Sequence, residues 1–148
     1  MEDQGREIVR IGQLQLTFLA TGSETRGGLT LFEMLVPSQA RVPAAHHHRE
    51  VEEVVYGLQG TLTFTVDGVK HEIRAGDRVI VARGAVHHFT NVHEGDARAL
   101  AMLTPALIGP AFFRETAAIV NAGGPPDLSK LREVMLRHGL VPVAAAAA

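Results

Sequence analysis

The sequence contains no cysteine and no tryptophan, and aromatic residues make up only 5% of its 148 residues. Without cysteine there are no disulfide bonds and no thiolate metal sites, so any metal ion must be bound by nitrogen and oxygen atoms. Positive charge is not in excess either, since 14 lysines and arginines face 16 acidic residues and the net charge is -2. We therefore expect neither a nucleic-acid partner nor a membrane partner.

Long apolar runs are also missing. No stretch approaches the roughly 18 apolar residues of a membrane-spanning helix, and the first ten residues, MEDQGREIVR, have no apolar core of signal-peptide type. The expected location is the cytoplasm. Hydrophobic residues make up 46% and charged residues 20% of the sequence, values typical of one globular domain of this length.

Alternation of apolar and polar residues dominates the first two-thirds of the chain. In QLQLTFLA, residues 13–20, every second residue is apolar, which predicts a half-buried strand. TLTFTVDGVKHEI, residues 61–73, predicts a hairpin that turns at Asp67-Gly68. LTLFEMLV is apolar on both faces and predicts a strand covered on both sides. Further short strands are predicted at 78–82, 87–92 and 97–105, and such a series without intervening helices indicates a sandwich or barrel.

The pattern changes after residue 105. PAFFRETAAIV, residues 110–120, and DLSKLREVMLRHG, residues 127–139, predict two helices. Asp127 is the expected N-cap of the second helix and Leu128 part of its apolar stripe, with Gly139 as the stop. We expect both helices to pack on the outside of the sheet; a lid over a barrel mouth is the alternative, indicated only by Phe112 and Phe113.

Histidines and glutamates are concentrated in AAHHHREVEE, residues 44–53. Residues two apart on a strand point to the same side, so His46 and His48 face together and His47 faces away. Glu53 has the opposite parity and joins them only if the chain turns at REVE and begins a new strand. His87, on a later strand, can point into the same interior. Three imidazoles and one carboxylate would form a nitrogen and oxygen donor set for a divalent metal.

The spacing of these residues carries a further signal. His46, His48, Glu53 and Gly60 fit H-x-H-x4-E-x6-G, and Gly76, Gly84, His87 and Asn91 fit G-x5-P-x-G-x2-H-x3-N, with Ala82 in place of the proline. These segments resemble the two signature motifs of the cupin superfamily. The resemblance implies an all-β, single-domain jelly-roll barrel over residues 1–108, a C-terminal helical extension over 109–140 packed outside the barrel, and a tail over 141–148.

The resemblance also implies a mononuclear metal site. Its ligands would be His46, His48, Glu53 and His87, and its cofactor one divalent ion of iron, manganese, nickel, copper or zinc. LFEMLVPSQARVPAAHHH, RGAVHHFTNV and MLTPALIGPAFFRETA look like the small quercetinase-like cupins. That likeness implies a dioxygenase that cleaves a flavonol or related enol, with Glu53 as ligand or catalytic base.

Several alternatives stay open at this point. The His/Glu segment could be a solvated loop or a remnant of a tag, although three histidines inside a patterned stretch are few for a tag. The same fold and metal also serve isomerases and proteins that bind a small molecule without turnover. His47, Glu52 and His88 have the wrong parity for ligands and are expected at the surface or beside the ligands. His71 is expected to be a packed core histidine, with substrate contact as the alternative.

The run from Val54 to Leu58 bears on the oligomeric state. Val54, Val55, Tyr56 and Leu58 are apolar on both strand faces, which implies a covering helix or a second subunit. We expect a homodimer formed through the sheet. If they point inward, Phe64, Val79, Val81, Phe89 and Met102 would line an apolar pocket, but a barrel core requires the same residues, so they identify no ligand. Tyr56 and Arg78 are candidates for the pocket wall.

Overall fold

The computed structural model describes residues 5–143, which form eleven strands and two helices. The strands before the helices are β1 Ile8–Ile11, β2 Leu14–Ala20, β3 Thr30–Val36, β4 His46–His48, β5 Glu52–Gln59, β6 Leu62–Val66, β7 Val69–Ile73, β8 Arg78–Val81, β9 His87–Thr90 and β10 Ala97–Thr104. The helices are α1 Pro110–Val120 and α2 Leu128–Arg137, and β11 Leu140–Pro142 follows them.

The strands form two antiparallel sheets. The first has the order β1-β2-β3-β10-β5-β8 and the second β11-β4-β9-β6-β7. Neighbours in each sheet are mostly distant in the chain, as expected of a jelly roll. The predicted all-β jelly-roll fold is confirmed, although the strand ladders of the described residues do not join into one closed barrel.

The core lies between the two sheets and follows from the alternation of the strands. Phe18, Phe32, Ala101, Val55 and Val79 are successive cross-strand partners on the inner face of the first sheet. All five are at most 4% exposed. The second sheet contributes Leu62 and Phe64 on β6, each 1% exposed. Burying such side chains provides the main driving force for closing one sheet on the other.

Glycine is required at two of the turns. The predicted hairpin turns at Asp67 and Gly68, which both have positive φ, 47° and 82°, as a two-residue turn between twisted strands requires. Gly60, the last residue of the first motif, has φ 66°. A Cβ atom at Gly60 would lie 2.3 Å from the carbonyl oxygen of Asp96, so no side chain fits there.

The helices pack against edge strands, α1 against β1 and α2 against β11. Phe113 of α1 reaches the rings of Phe18 and Phe32, with centroid distances of 5.8 and 5.2 Å. The helices therefore cover the side of the sandwich where β1 and β11 end the two sheets, which confirms that they lie outside it. Neither helix has the length and apolar composition needed to cross a membrane.

Of the two predictions made for α2, the N-cap is confirmed and the apolar stripe is wrong in part. Asp127 caps α2 as predicted, and its side chain accepts hydrogen bonds from the backbone N–H groups of Ser129 and Lys130. The predicted apolar stripe is wrong at Leu128, which is 76% exposed, whereas Val134 is buried. Leu128 lies in the first turn, beyond the part of α2 that packs.

The region assigned to the tail begins with a strand. Val141 and Pro142 belong to β11 and pair with His47 and His46 of β4, so this strand extends into the segment assigned to the tail. Residues 144–148 of that tail lie outside the described residues.

Candidate metal centre

Two strands of the second sheet bring three histidines together. His46 on β4 is the direct cross-strand partner of His87 on β9, and His48 lies two residues along β4, on the same face. The ring centroids are 4.5 Å apart for His46 and His87, 4.7 Å for His48 and His87, and 5.1 Å for His46 and His48. One ring nitrogen from each histidine lies within 4.8 Å of the other two. These three histidines could hold one metal ion.

Glu53 reaches the histidines from the opposite sheet. The chain leaves β4 after His48, crosses to the first sheet through residues 49–51 and begins β5 at Glu52, so the turn required at REVE is present. The Oε2 atom of Glu53 lies 3.2 Å from Nε2 of His87, and Glu53 is 9% exposed. Within the described residues, the group of mutually close ligand atoms comprises the three histidines and leaves Glu53 beside it.

Backbone carbonyls orient two of the three imidazoles. Nδ1 of His46 donates to the carbonyl oxygen of Ala44 at 2.8 Å, and Nδ1 of His87 donates to that of Ala85 at 3.0 Å. A proton fixed on Nδ1 leaves Nε2 as the nitrogen that can bind a metal. Sequence reasoning missed these two contacts, since a backbone acceptor carries no side-chain signal.

His48 supplies a test of whether a metal fits. Its Nδ1 atom is buried and has no hydrogen-bond partner among residues 5–143, and the same holds for Nδ1 of His47, outside the cluster. A buried nitrogen without a partner costs free energy, and a bound ion or ligand would remove that cost. An ion bound at Nδ1 of His48 would satisfy that atom, but the stronger indication is the type and closeness of the donor atoms: three imidazoles beside a carboxylate fit a divalent ion.

Burial sets the charge state of two of these histidines. Desolvation lowers the pKa of His46 to about 4, assisted by the nearby His87. Desolvation also lowers the pKa of His48 to about 4, against the opposing effect of Glu53. Both rings are therefore neutral at neutral pH, which is the form that coordinates a metal.

His87 and Glu53 behave as a pair. Burial opposes the charged form of each, but their mutual hydrogen bond and charge outweigh it. The pKa of His87 is therefore raised, and the pKa of Glu53 is lowered, with the other two imidazoles contributing to the latter. These two directions favour a protonated His87 that donates from Nε2 to an ionised Glu53, at the nitrogen that a metal would use.

The residues of opposite parity lie outside the cluster. Glu52 accepts hydrogen bonds from the backbone and side chain of Arg83 at the surface, and His88 pairs with Thr65 on the outer side of the second sheet. His47 pairs with Val141. The prediction of a packed core histidine at position 71 is wrong, because His71 lies exposed on β7, at the edge of the second sheet.

Asn91, the last residue of the second motif, has a structural role that the sequence did not indicate. It is 2% exposed, and its Nδ2 donates to the carbonyl oxygens of Val36 and Gly95 at 2.9 and 3.0 Å. Its Oδ1 accepts from the backbone N–H of His93 at 3.1 Å. Asn91 therefore holds the turn that follows β9 and ties it to the end of β3.

Comparison with protein families agrees with the motif positions. Residues 32–103 match the family described as Cupin domain, a segment that contains all three histidines and Glu53. No curated protein sequence matches the chain.

Solved structures with the same fold are numerous. One is described as a predicted oxalate decarboxylase from Thermotoga maritima, with a TM-score of 0.64, 20% identity, and coverage of 70% of this chain and 96% of the other. A sugar phosphate isomerase of the cupin superfamily from Silicibacter pomeroyi has a TM-score of 0.59, 21% identity, and coverage of 70% and 74%. The polyketide cyclase RemF from Streptomyces resistomycificus has a TM-score of 0.59, 18% identity, and coverage of 70% and 77%. Likeness at this level of identity concerns the fold.

Proposed function

We propose that this chain is a mononuclear metal-dependent dioxygenase that acts on a small enolisable or aromatic, flavonol-like molecule. The match of residues 32–103 to the cupin domain family supports this proposal. One observation carries the proposal. Three imidazoles from one sheet converge within 4.8 Å of one another, and a buried carboxylate from the other sheet lies 3.2 Å from one of them. A metal-binding group is thus placed beside a group that can accept a proton.

The metal would supply positive charge. His46, His48 and His87 would hold a divalent ion of iron, manganese, nickel, copper or zinc, which would act as a Lewis acid and lower the pKa of an enol or phenol hydroxyl. Three neutral ligands leave that charge largely uncompensated, which favours an anionic substrate oxygen.

Glu53 is the proposed base. His87 Nε2 is both the hydrogen-bond partner of Glu53 and the nitrogen left free for coordination, so metal binding removes the partner that Glu53 has in the metal-free protein. The carboxylate is then a buried proton acceptor beside the substrate position. Glu53 could instead become a fourth ligand, and the two roles make different predictions for a glutamine at this position.

The neighbourhood of the histidines suits an apolar substrate. Phe64 and Phe89 are cross-strand partners with ring centroids 5.5 Å apart, one row along the sheet from Val66 and His87. Val81 lies next to Glu53 on the inner face of the first sheet. Met102 faces outward beside Val54, so it does not line this interior. Aromatic and aliphatic side chains next to the histidines would exclude water and strengthen the charge interactions of a bound enolate.

Oxygen uptake tests the proposal. The protein is loaded with each candidate metal and assayed against flavonols, catechols and β-diketones, with free metal as the blank. We expect oxygen consumption with at least one class. Glu53→Gln should lose roughly 10²–10⁴-fold of that activity while retaining metal, whereas Glu52→Gln, the adjacent surface carboxylate, should retain the activity.

A different result would favour the alternatives. The fold also occurs in an isomerase and in a cyclase, so the fold by itself does not determine the reaction. Conversion of a substrate without oxygen would indicate an isomerase. Saturable ligand binding without any turnover would indicate a non-catalytic binding protein, and both results would contradict the dioxygenase proposal.

A further inference from the structure

Residues 82–86 connect β8 to β9 and lead directly into His87, the first residue of β9. This connection also supplies the carbonyl oxygen of Ala85, which accepts from Nδ1 of His87 at 3.0 Å and so orients the imidazole. The position of the connection therefore determines both where the backbone of His87 lies and how its ring is turned.

Asp67, in the turn between β6 and β7, bonds to both sides of Val86. The backbone N–H of Asp67 donates to the carbonyl oxygen of Val86 at 2.7 Å. Its side-chain Oδ1 accepts from the backbone N–H of Val86 at 2.9 Å. We call these two hydrogen bonds the Asp67 clamp. Because they act on both ends of one residue, they fix the position and the direction of the chain where it enters β9.

The carboxylate in this clamp takes the place of a backbone carbonyl group. β6 and β9 are antiparallel, and Val66 and His87 form the last pair of their ladder. One further step would pair Asp67 with Val86, and the two residues would exchange backbone hydrogen bonds. Asp67 has φ 47°, however, because the chain turns back into β7 at this point, and the N–H of Val86 meets the side chain instead. Glycine adopts the same positive φ, so the shape of the turn alone does not require the carboxylate.

We propose that Asp67 is a positioning residue of the candidate metal centre, which holds Val86 and through it His87 in the arrangement that an ion would bind. His46 and His48 lie on one strand, so their spacing is set by that strand alone. His87 comes from another strand and must be placed against them. Residues that orient metal ligands from behind typically contribute about 10–100-fold to metal affinity. The inference rests on the metal centre and not on the reaction proposed for it.

Asp77 provides a matched control within the same chain. Its backbone N–H donates to the carbonyl oxygen of Arg74 at 2.9 Å, and its Oδ2 accepts from the backbone N–H of Arg74 at 3.0 Å. These are the same two contacts as in the Asp67 clamp. Asp77 lies immediately before β8, at the end of that strand remote from Glu53, so its contacts hold a turn away from the candidate metal ligands.

The metal affinity of three variants tests the proposal. Asp67→Gly keeps the positive φ and removes the carboxylate, so its affinity for Zn²⁺ should fall roughly 10-fold. Asp67→Asn keeps an acceptor oxygen and also tolerates positive φ, so it should bind within about twofold of the wild type. Asp77→Gly should bind like the wild type. Competition with a chromophoric chelator measures the affinities, and thermal unfolding of the metal-free variants measures the stability that each loses.

Hydrogen exchange in the metal-free protein gives a second readout, which needs neither metal nor turnover. The N–H of Val86 should be protected in the wild type and in Asp67→Asn, and should exchange roughly 10-fold faster in Asp67→Gly. The N–H of Arg74 should exchange faster only in Asp77→Gly. The wild-type measurement holds even if a variant does not fold, because an unprotected N–H at Val86 in the wild type would already contradict the clamp.

Three results from the variants would overturn the proposal alone. Equal affinity of the wild type and Asp67→Gly would show that Asp67 only shapes the turn. Equal losses in Asp67→Gly and Asp77→Gly would show a general effect of stability. A loss in Asp67→Asn as large as in Asp67→Gly would assign the effect to charge and not to the hydrogen bond. All three leave the metal centre and the proposed reaction unaffected, whereas a wild type that binds no metal contradicts the centre and this inference together.

Discussion

The inner and outer faces of the same strands differ in their chemistry. On β4, His46 and His48 point into the sandwich toward His87, whereas His47 points away. On β5, Glu53 meets His87 inside, and its neighbour Glu52 pairs with Arg83 at the surface. A shift of one residue separates a group with altered acidity from one that makes an ordinary surface contact. The position of a residue on the strand, more than its type, determines its role here.

The largest expected effect is the loss of folding stability when a core side chain is removed. Phe64→Ala should lower the free energy of unfolding by about 3–5 kcal/mol, because Phe64 is 1% exposed and the substitution leaves a cavity. Thr65→Ala, one residue along β6 and facing outward, should change it by roughly 0.5 kcal/mol or less. Urea denaturation of the metal-free proteins measures both. Similar losses for the two variants would contradict the assignment of inner and outer faces.

Removing an inward-facing histidine should weaken metal binding, whereas removing an outward-facing histidine should not. Total binding free energies of protein metal sites are on the order of 10 kcal/mol, so losing one of three or four ligands should cost about 3 kcal/mol, or roughly 100-fold in affinity. His48→Ala is expected to show this loss, and His88→Ala is expected to bind like the wild type. Competition titration with a chromophoric chelator gives both affinities. Equal affinity of His48→Ala and the wild type would remove His48 from the site.

Glu53 and Glu52 should differ in their effect on one imidazole. Removing the Glu53 charge takes away the interaction that raises the pKa of His87, so Glu53→Gln should lower that pKa in the metal-free protein. Glu52→Gln should leave it unchanged. An NMR titration of the histidine ring protons reports each value. The pairing of Glu53 with His87 is refuted if the two variants titrate alike.

The smallest expected effect is the number of protons released when a metal ion binds. The pKa of His87 is raised above 6.5. At a pH below this raised pKa the ring is mostly protonated, and metal binding must displace that proton. His46 and His48, with pKa values of about 4, hold none at neutral pH. Near pH 6.5, binding should release more than half a proton and at most about one proton per ion, and this number should fall toward zero as pH rises above the raised pKa. Metal affinity should correspondingly weaken as pH falls through it.

Calorimetric titration in buffers of different ionisation enthalpy counts that proton. Release of two or three protons near pH 6.5 would show that His46 or His48 is protonated in the metal-free protein, contrary to the effect of burial.

Local patterns in the sequence predicted much of the fold. Alternation predicted the strands and their inner faces, Asp67-Gly68 the hairpin, and Asp127 the start of α2. Each of these depends on residues that are neighbours in the chain, so the physical reason is visible in the sequence. The turn after His48 was stated as a condition for Glu53 to join the histidines, and the structure contains it.

Features set by distant contacts could not be predicted. β11 has only three residues and forms because β4 offers it a partner about 94 residues away. His71 has the pattern of an inner residue, but it lies on an edge strand and is exposed. The buried, unpartnered Nδ1 of His48 likewise depends on the whole fold. The pattern placed the site, and the packing of distant segments determined its hydrogen bonds and charges.

X-ray absorption spectroscopy of the metal-loaded protein tests the central claim most directly. We expect one ion per chain with scattering from three imidazole rings at about 2.1 Å, and loss of one ring in His48→Ala. One imidazole or none, or an ion count well below one per chain, would contradict a metal centre formed by His46, His48 and His87.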